Sequence, residues 1–99
     1  MPEATNENAA AEDAALVAQA KAGDFAAFER LVGRHESRVY SIAMHILRQR
    51  QDAEDAVQTA FLNALEGLAG FREEAAFATW ITRIAVNWLL LDYDRVCGA

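Results

Sequence analysis

His35 and His45 are the side chains in this 99-residue chain best able to hold a metal, and their spacing argues against a shared site. Ten positions along a helix separate two residues by roughly 15 Å, too far to share one ion. The carboxylates Asp52, Glu54 and Asp55, and then Glu73 and Glu74, fall where helix N-termini favour negative charge, so capping and solvation account for them. The chain carries no glycine-rich phosphate loop, no Gly-x-Ser-x-Gly turn and no visible nucleophile and base pair. The residues therefore point away from an enzyme: no catalytic residue, no metal ligand set and no cofactor is expected.

Binding chemistry is better represented. Phe71 to Trp88, "FREEAAFATWITRIAVNW", holds two phenylalanines, two tryptophans and an asparagine. Phe77, Trp80, Ile81, Ile84 and Trp88 recur at helical spacing and read as a buried stripe. Phe71 lies off that register, between Gly70 and Arg72, where its ring could stack on an exposed base or equally fold down as a lid on the core. Asn87 offers a donor and an acceptor together, the combination that reads a base edge. Arg30, Arg34 and Arg38 recur every four residues, with neither Glu29 nor Glu36 at a pairing distance of three or four. Such a stripe either awaits an acidic partner or is a solvated face. Asp52, Asp55, Gln58, Thr59 and Asn63 line a second polar face, and no basic residue occurs between Arg50 and Arg72. If that face binds anything, a basic protein surface suits it better than DNA.

The elements that must carry these side chains are helical. Residues 1 to 11 are small, polar and acidic without periodicity, and are expected to form a disordered leader. From Glu12, Leu16, Val17 and Ala20 give a short helix one apolar side, ended by Gly23. Asp24 is the expected N-cap of a long second helix that carries Phe25, Phe28, Leu31, Val32, Val39, Ile42, Ile46 and Leu47 and ends near Arg48. Asp52 is the expected cap of a third, with Ala53, Ala56, Val57, Ala60, Phe61, Ala64 and Leu65 inward, stopped by Gly67 and Gly70. A fourth is expected from about Glu74 to Asp94. No run alternates with period two, and the one proline is Pro2, so the expected class is all-α: a compact bundle of about four helices over residues 12–95, with 96–99 as a tail.

Charge narrows the partners. The formal net charge is -6 and the sequence pI about 4.7, so the chain as a whole repels nucleic acid and anionic membranes. Any contact with DNA must use a local patch or come through a partner. The single cysteine, Cys97, cannot form an internal disulfide, which fits a reducing compartment. The start lacks the basic and apolar regions of a signal peptide, and no apolar run approaches the roughly 18 residues of a membrane span, so a cytoplasmic protein with no membrane contact is expected.

The order of motifs says more. "AGDFAAFERL", "DAEDAVQTAF" and "FREEAAFATWITRIAVN" fall in the order and spacing of region 2 of the extracytoplasmic-function (ECF) sigma factors, and the chain resembles that family from Asp13 to about Arg95. The resemblance implies a helical domain that binds core RNA polymerase and recognises and melts the minus-ten promoter element, without covalent chemistry. It implies that the helix matching "DAEDAVQTAF" docks on the β′ clamp coiled coil, with Asp55, Gln58 and Phe61 as contacts. It implies that the non-template single strand is held by "GFREEAAFATWITRIAVN". There Phe71 would face a pocket for a flipped base, Asn87 would bond a neighbouring base, and Arg72 and Arg83 would contact phosphate. Flipping costs a few kcal/mol, which stacking and edge hydrogen bonds can recover. The sequence departs from the family at Thr59, usually acidic there, and at the end "DYDRVCGA", where a basic cluster is common. The family's region 4 helix-turn-helix is not visible in this chain. A second reading is a sigma-like interaction module that binds an anti-sigma factor or polymerase without opening a promoter.

Overall fold

The computed structural model describes the backbone of residues 2–72 and 76–97 and the side chains of residues 9–72 and 76–90. Four helices follow one another: α1 (Pro2–Lys21), α2 (Phe25–Leu47), α3 (Arg50–Gly67) and α4 (Phe77–Cys97), with a 3-10 turn, Leu68–Gly70, after α3. The all-α expectation holds, with no strand among the described residues.

Local chemistry explains most of the boundaries. Between α1 and α2 the chain reverses at Gly23, whose φ of 110° is one that a side chain would disfavour. Asp24 caps α2 as expected, its Oδ1 accepting from the Ala27 N–H at 3.3 Å. At the other end Arg48 takes the left-handed conformation, φ 60°, and its N–H closes the helix on Met44 O at 2.9 Å. That reversal shortens the polar break to Arg48 and Gln49. Helix α3 therefore starts at Arg50, with Gln49 rather than Asp52 at the cap, and the Ala53 N–H reaches Gln49 O at 2.9 Å. Asp52 sits inside the first turn, where its negative charge still interacts favourably with the positive end of the helix dipole. The start expected for the fourth helix, Glu74, lies outside the described residues.

The segment expected to be a disordered leader has helical backbone from Pro2. Proline is at home at a first helical position, and the alanine run that follows has the best helix propensity of any residue. Tertiary anchors, which composition cannot reveal, complete the case: Arg34 of α2 donates to Ala9 O at 3.1 Å and pairs with Glu12 at 3.0 Å.

The helices close around one main apolar cluster, built from Leu16 and Val17 of α1, Phe28, Leu31 and Val39 of α2, Phe61 of α3, and Phe77 and Ile81 of α4. Along α3 the buried positions Ala53, Ala56, Ala60 and Ala64 keep one side small, so that neighbouring helices can approach closely. A second cluster gathers Ala43, Ala53, Ala56 and Leu89, flanked by Trp88. Leu89 completes the buried i, i+4 series Phe77, Ile81, Ala85, Leu89, whereas Trp80, Ile84 and Trp88 are only half-buried. Phe25 and Leu65, expected to face inward, are exposed.

Candidate functional site

Two faces of the molecule carry the residues singled out from the sequence, and α2 lies between them. On one face, α2 and α3 leave an open groove of about 560 Å³ whose lining includes Phe28, Val57, Gln58 and Phe61. Phe25 and Leu62 stand 58% and 61% exposed on its edges, beside Glu29 and Glu36. Asp55 and Gln58 are exposed on α3, but Phe61 is only 5% exposed and forms the groove's inner wall instead of projecting from it. An apolar trough with carboxylates on its rim fits a partner that offers apolar side chains together with basic ones.

The other face is formed by α4 and the turn before it. Arg83 and Asn87 are exposed one helical turn apart, in line with exposed Thr79. Trp80, seven residues before Asn87 and so on nearly the same side of the helix, is half-buried. Arg72 is exposed immediately after the turn.

Phe71 does not face outward. Its ring is 5% exposed, 4.5 Å from the Trp80 ring and 6.1 Å from that of Phe77 in an edge-on arrangement. Of the two readings open from the sequence, the lid on the core is the one adopted. The reason is geometric: the 3-10 turn, closed by the Phe71 N–H on Leu68 O at 3.0 Å, points the ring back under α4. There it recovers aromatic contacts that solvent would not supply.

Lys21, the last residue of α1, donates from Nζ to Phe71 O at 2.9 Å across fifty positions of sequence. It ties the turn before α4 to the first helix. Lys21→Met should therefore loosen the turn, accelerating amide exchange at Phe71 and Arg72 about fivefold with little change in global melting, as expected for one partly buried charge-assisted bond of about 1 kcal/mol. Unchanged exchange at both amides would show that this bond does not hold the loop.

Sequence reasoning overlooked a polar triad with two buried members. Asp13 of α1 is 5% exposed and His35 of α2 is 9% exposed, with Asp13 Oδ2 2.8 Å from His35 Nε2. Arg34 Nε donates to Asp13 Oδ1 at 2.7 Å. This hydrogen bond, opposed by desolvation and assisted by the charge of Asp13, raises the Arg34 pKa above its ordinary value. Arg34 thus leaves the arginine stripe to serve the fold. The signal was present in the register: Asp13, Leu16, Val17 and Ala20 share one side of α1, and Leu31, His35 and Val39 one side of α2. His35 in turn packs on Phe77, ring centroids 5.3 Å apart, which links the triad to the aromatic cluster behind the loop. Among the described residues no group of three or more His, Cys, Asp or Glu could hold a metal, and no helix is long and apolar enough to cross a membrane.

Comparison with known proteins places this arrangement. Residues 31–93 match the family model described as Sigma-70 region 2, a span that contains Asp55, Gln58, Phe61, Phe71, Arg72, Arg83 and Asn87. The chain is 43% identical over 75 residues to the ECF RNA polymerase sigma factor SigM of Mycobacterium tuberculosis H37Rv, covering 76% of this chain and 38% of that protein. It is 41% identical over 75 residues to the ECF RNA polymerase sigma-E factor of Escherichia coli K12, covering 76% and 39%. It therefore spans well under half the length of these relatives. Among solved structures, an engineered region 2 of sigmaE, determined by NMR in complex with GTAAAA, superposes with a TM-score of 0.73 at 36% identity over 84% of this chain and 90% of that one. The family model and the fold agree with the resemblance carried by the three motifs: this chain belongs to the sigma-70 region 2 family and is a region 2 domain of the ECF type.

Proposed function

We propose that this domain binds core RNA polymerase through the α2/α3 face and recognises and melts the minus-ten promoter element on the α4 face to start transcription. The observation that carries the reading is the fold match to an engineered region 2 of sigmaE solved in complex with GTAAAA, nine tenths of which this chain covers. In this reading Asp55 and Gln58 contact the clamp coiled coil of the β′ subunit, while Phe61 shapes the groove from within. Asn87 bonds a base edge of the non-template single strand, and Arg72 and Arg83 contact its phosphates. Phe71 acts behind the pocket for the flipped base, by holding Trp80 and the turn in place. No covalent step is involved, and a cytoplasmic location goes with this role. The net charge of -6 is tolerable because polymerase supplies most of the electrostatic attraction for DNA.

A second reading is favoured by the open apolar groove: the domain binds an anti-sigma factor, or polymerase, without opening a promoter. A titration separates the two. The chain is added to core polymerase, then to a fluorescent single-stranded minus-ten library at fixed salt. Sequence-selective capture of DNA only with polymerase present supports promoter reading; polymerase binding without selectivity supports the interaction module; binding of neither removes both polymerase readings. In the same assay Gln58→Ala is expected to weaken polymerase binding about tenfold, the loss of one or two interface hydrogen bonds. Undiminished affinity would take Gln58 out of the interface.

A further inference from the structure

On the side of α2 away from the groove, Arg38 and Ile42 face Ala78, Thr79 and Thr82 of α4 across a shallow cleft of about 340 Å³. We propose that this cleft binds a phosphate of the single strand, with the Arg38 guanidinium and the Thr79 and Thr82 hydroxyls as donors, so that α2 as well as α4 carries the DNA. The proposal deepens the strand-binding reading above and rests on it.

Three observations support it. Arg38 is exposed and makes no ion pair among the described residues, whereas Arg34 is engaged by Asp13 and Glu12 and Arg50 by Glu54. Of the three arginines in the stripe, Arg34 is held by Asp13 and Glu12 of α1 and Arg30 lines a depression beside Glu12, which leaves Arg38 as the member free of α1 carboxylates. The acids nearest in sequence on α2, Glu29 and Glu36, line the groove on the opposite side of the helix, so the cleft is lined without a carboxylate in a protein of net charge -6. Finally, the cleft is continuous with the candidate strand face: Thr79 lines the cleft and also begins the exposed series Thr79, Arg83, Asn87.

The chemistry selects a phosphodiester. A guanidinium presents forked donors that match two phosphate oxygens, and hydroxyls one helical turn apart can supply further bonds. None of these groups is placed as a paired donor and acceptor toward a base edge, so the site should position the strand without reading it. Arg38 thus differs from Asn87 in a measurable way: its loss should cost the same on every sequence.

The test uses the whole chain with core polymerase, a selected minus-ten strand and oligo(dT) of equal length, from about 50 to 300 mM KCl. Arg38→Gln is expected to weaken both strands by the same factor, about fivefold at the low-salt end, and to reduce the log-log salt slope by about 0.7, one phosphate contact on a single strand. Arg38→Lys should keep the slope, Thr79→Val should weaken both strands about threefold, and Asn87→Ala should lower selectivity at unchanged slope. An unchanged affinity and slope for Arg38→Gln, with the parent chain still selecting its strand, would refute the phosphate site and leave the α4 reading standing. If the parent captures neither strand, the strand-binding reading and the phosphate site fall together. Arg38 is exposed, so the variant should melt with the parent, and a lowered melting point with parallel loss of polymerase binding would count against the site.

Discussion

Phe71→Ala is expected to lower the melting temperature of this domain by roughly 15 °C and to abolish selective capture of the minus-ten strand. The stability loss follows from burial. The ring is 5% exposed and meets Trp80 and Phe77, so its removal leaves a cavity at the junction of the turn and α4. Phe-to-Ala changes in cores cost about 3 to 5 kcal/mol, and the lower end applies beside a surface turn that can relax. For a domain of this size about 3 kcal/mol corresponds to a shift of that order, and to a large part of a total stability of about 5 to 10 kcal/mol. The functional loss follows from position, because Trp80 borders the face that carries Asn87 and would lose its backing. Phe71→Leu separates the two effects: it keeps most of the volume and stability while removing the flat ring. Thermal unfolding followed by circular dichroism, with strand capture measured well below the transition, reads both. A Phe71→Ala protein that melts within about 3 °C of the parent would show that the ring does not hold the core, and strand selection intact in both variants would show that Phe71 does not support the pocket.

Asp13→Ala should be the second severe change, costing about 2 to 3 kcal/mol although the residue is in neither set of candidate contact residues. Removing the carboxylate strips His35 Nε2 of its 2.8 Å partner and takes from Arg34 its 2.7 Å bond. Leaving buried polar groups unpaired costs more than an average hydrogen bond contributes. The figure stays below the largest values for buried ion pairs because Arg34 is partly exposed and retains Glu12 and Ala9 O. The consequence should be concentrated in α1: amide exchange there accelerates, and the Lys21 bond to Phe71 O weakens as the helix loosens. Asp13→Asn tests the origin, since it preserves shape and one acceptor. A double-mutant cycle with His35→Phe should give a coupling of about 1 kcal/mol or more; additive losses would mean that Asp13 and His35 do not act together.

Register made much of this protein legible. Spacings of three, four and seven placed Leu31, Val39, Ala60, Phe77 and Ile81 inward, because apolar periodicity is a local property that survives in one dimension. The Asp24 cap and the stop near Arg48 were legible for the same reason. Motif order placed the chain in its family, because it records ancestry and needs no coordinates. Other features were not local. The helical course of the N-terminal segment drew on an arginine about twenty-five residues downstream. Asp13 and His35 sat in the apolar register of their helices, yet only the α1/α2 packing shows that they satisfy one another.

The sequence by itself determined the four helices, most of their buried faces, and the family, since each is encoded in periodicity, capping residues and motif order. Tertiary structure alone decided which polar and aromatic side chains are available to a partner. It turned Phe71 inward through a 3-10 turn, withdrew Arg34 into an ion pair with α1, and left Arg38 open beside the threonines of α4. The physical reason is that exposure and charge pairing depend on what lies across an interface, and helices brought together by burying apolar surface meet at residues far apart in the chain.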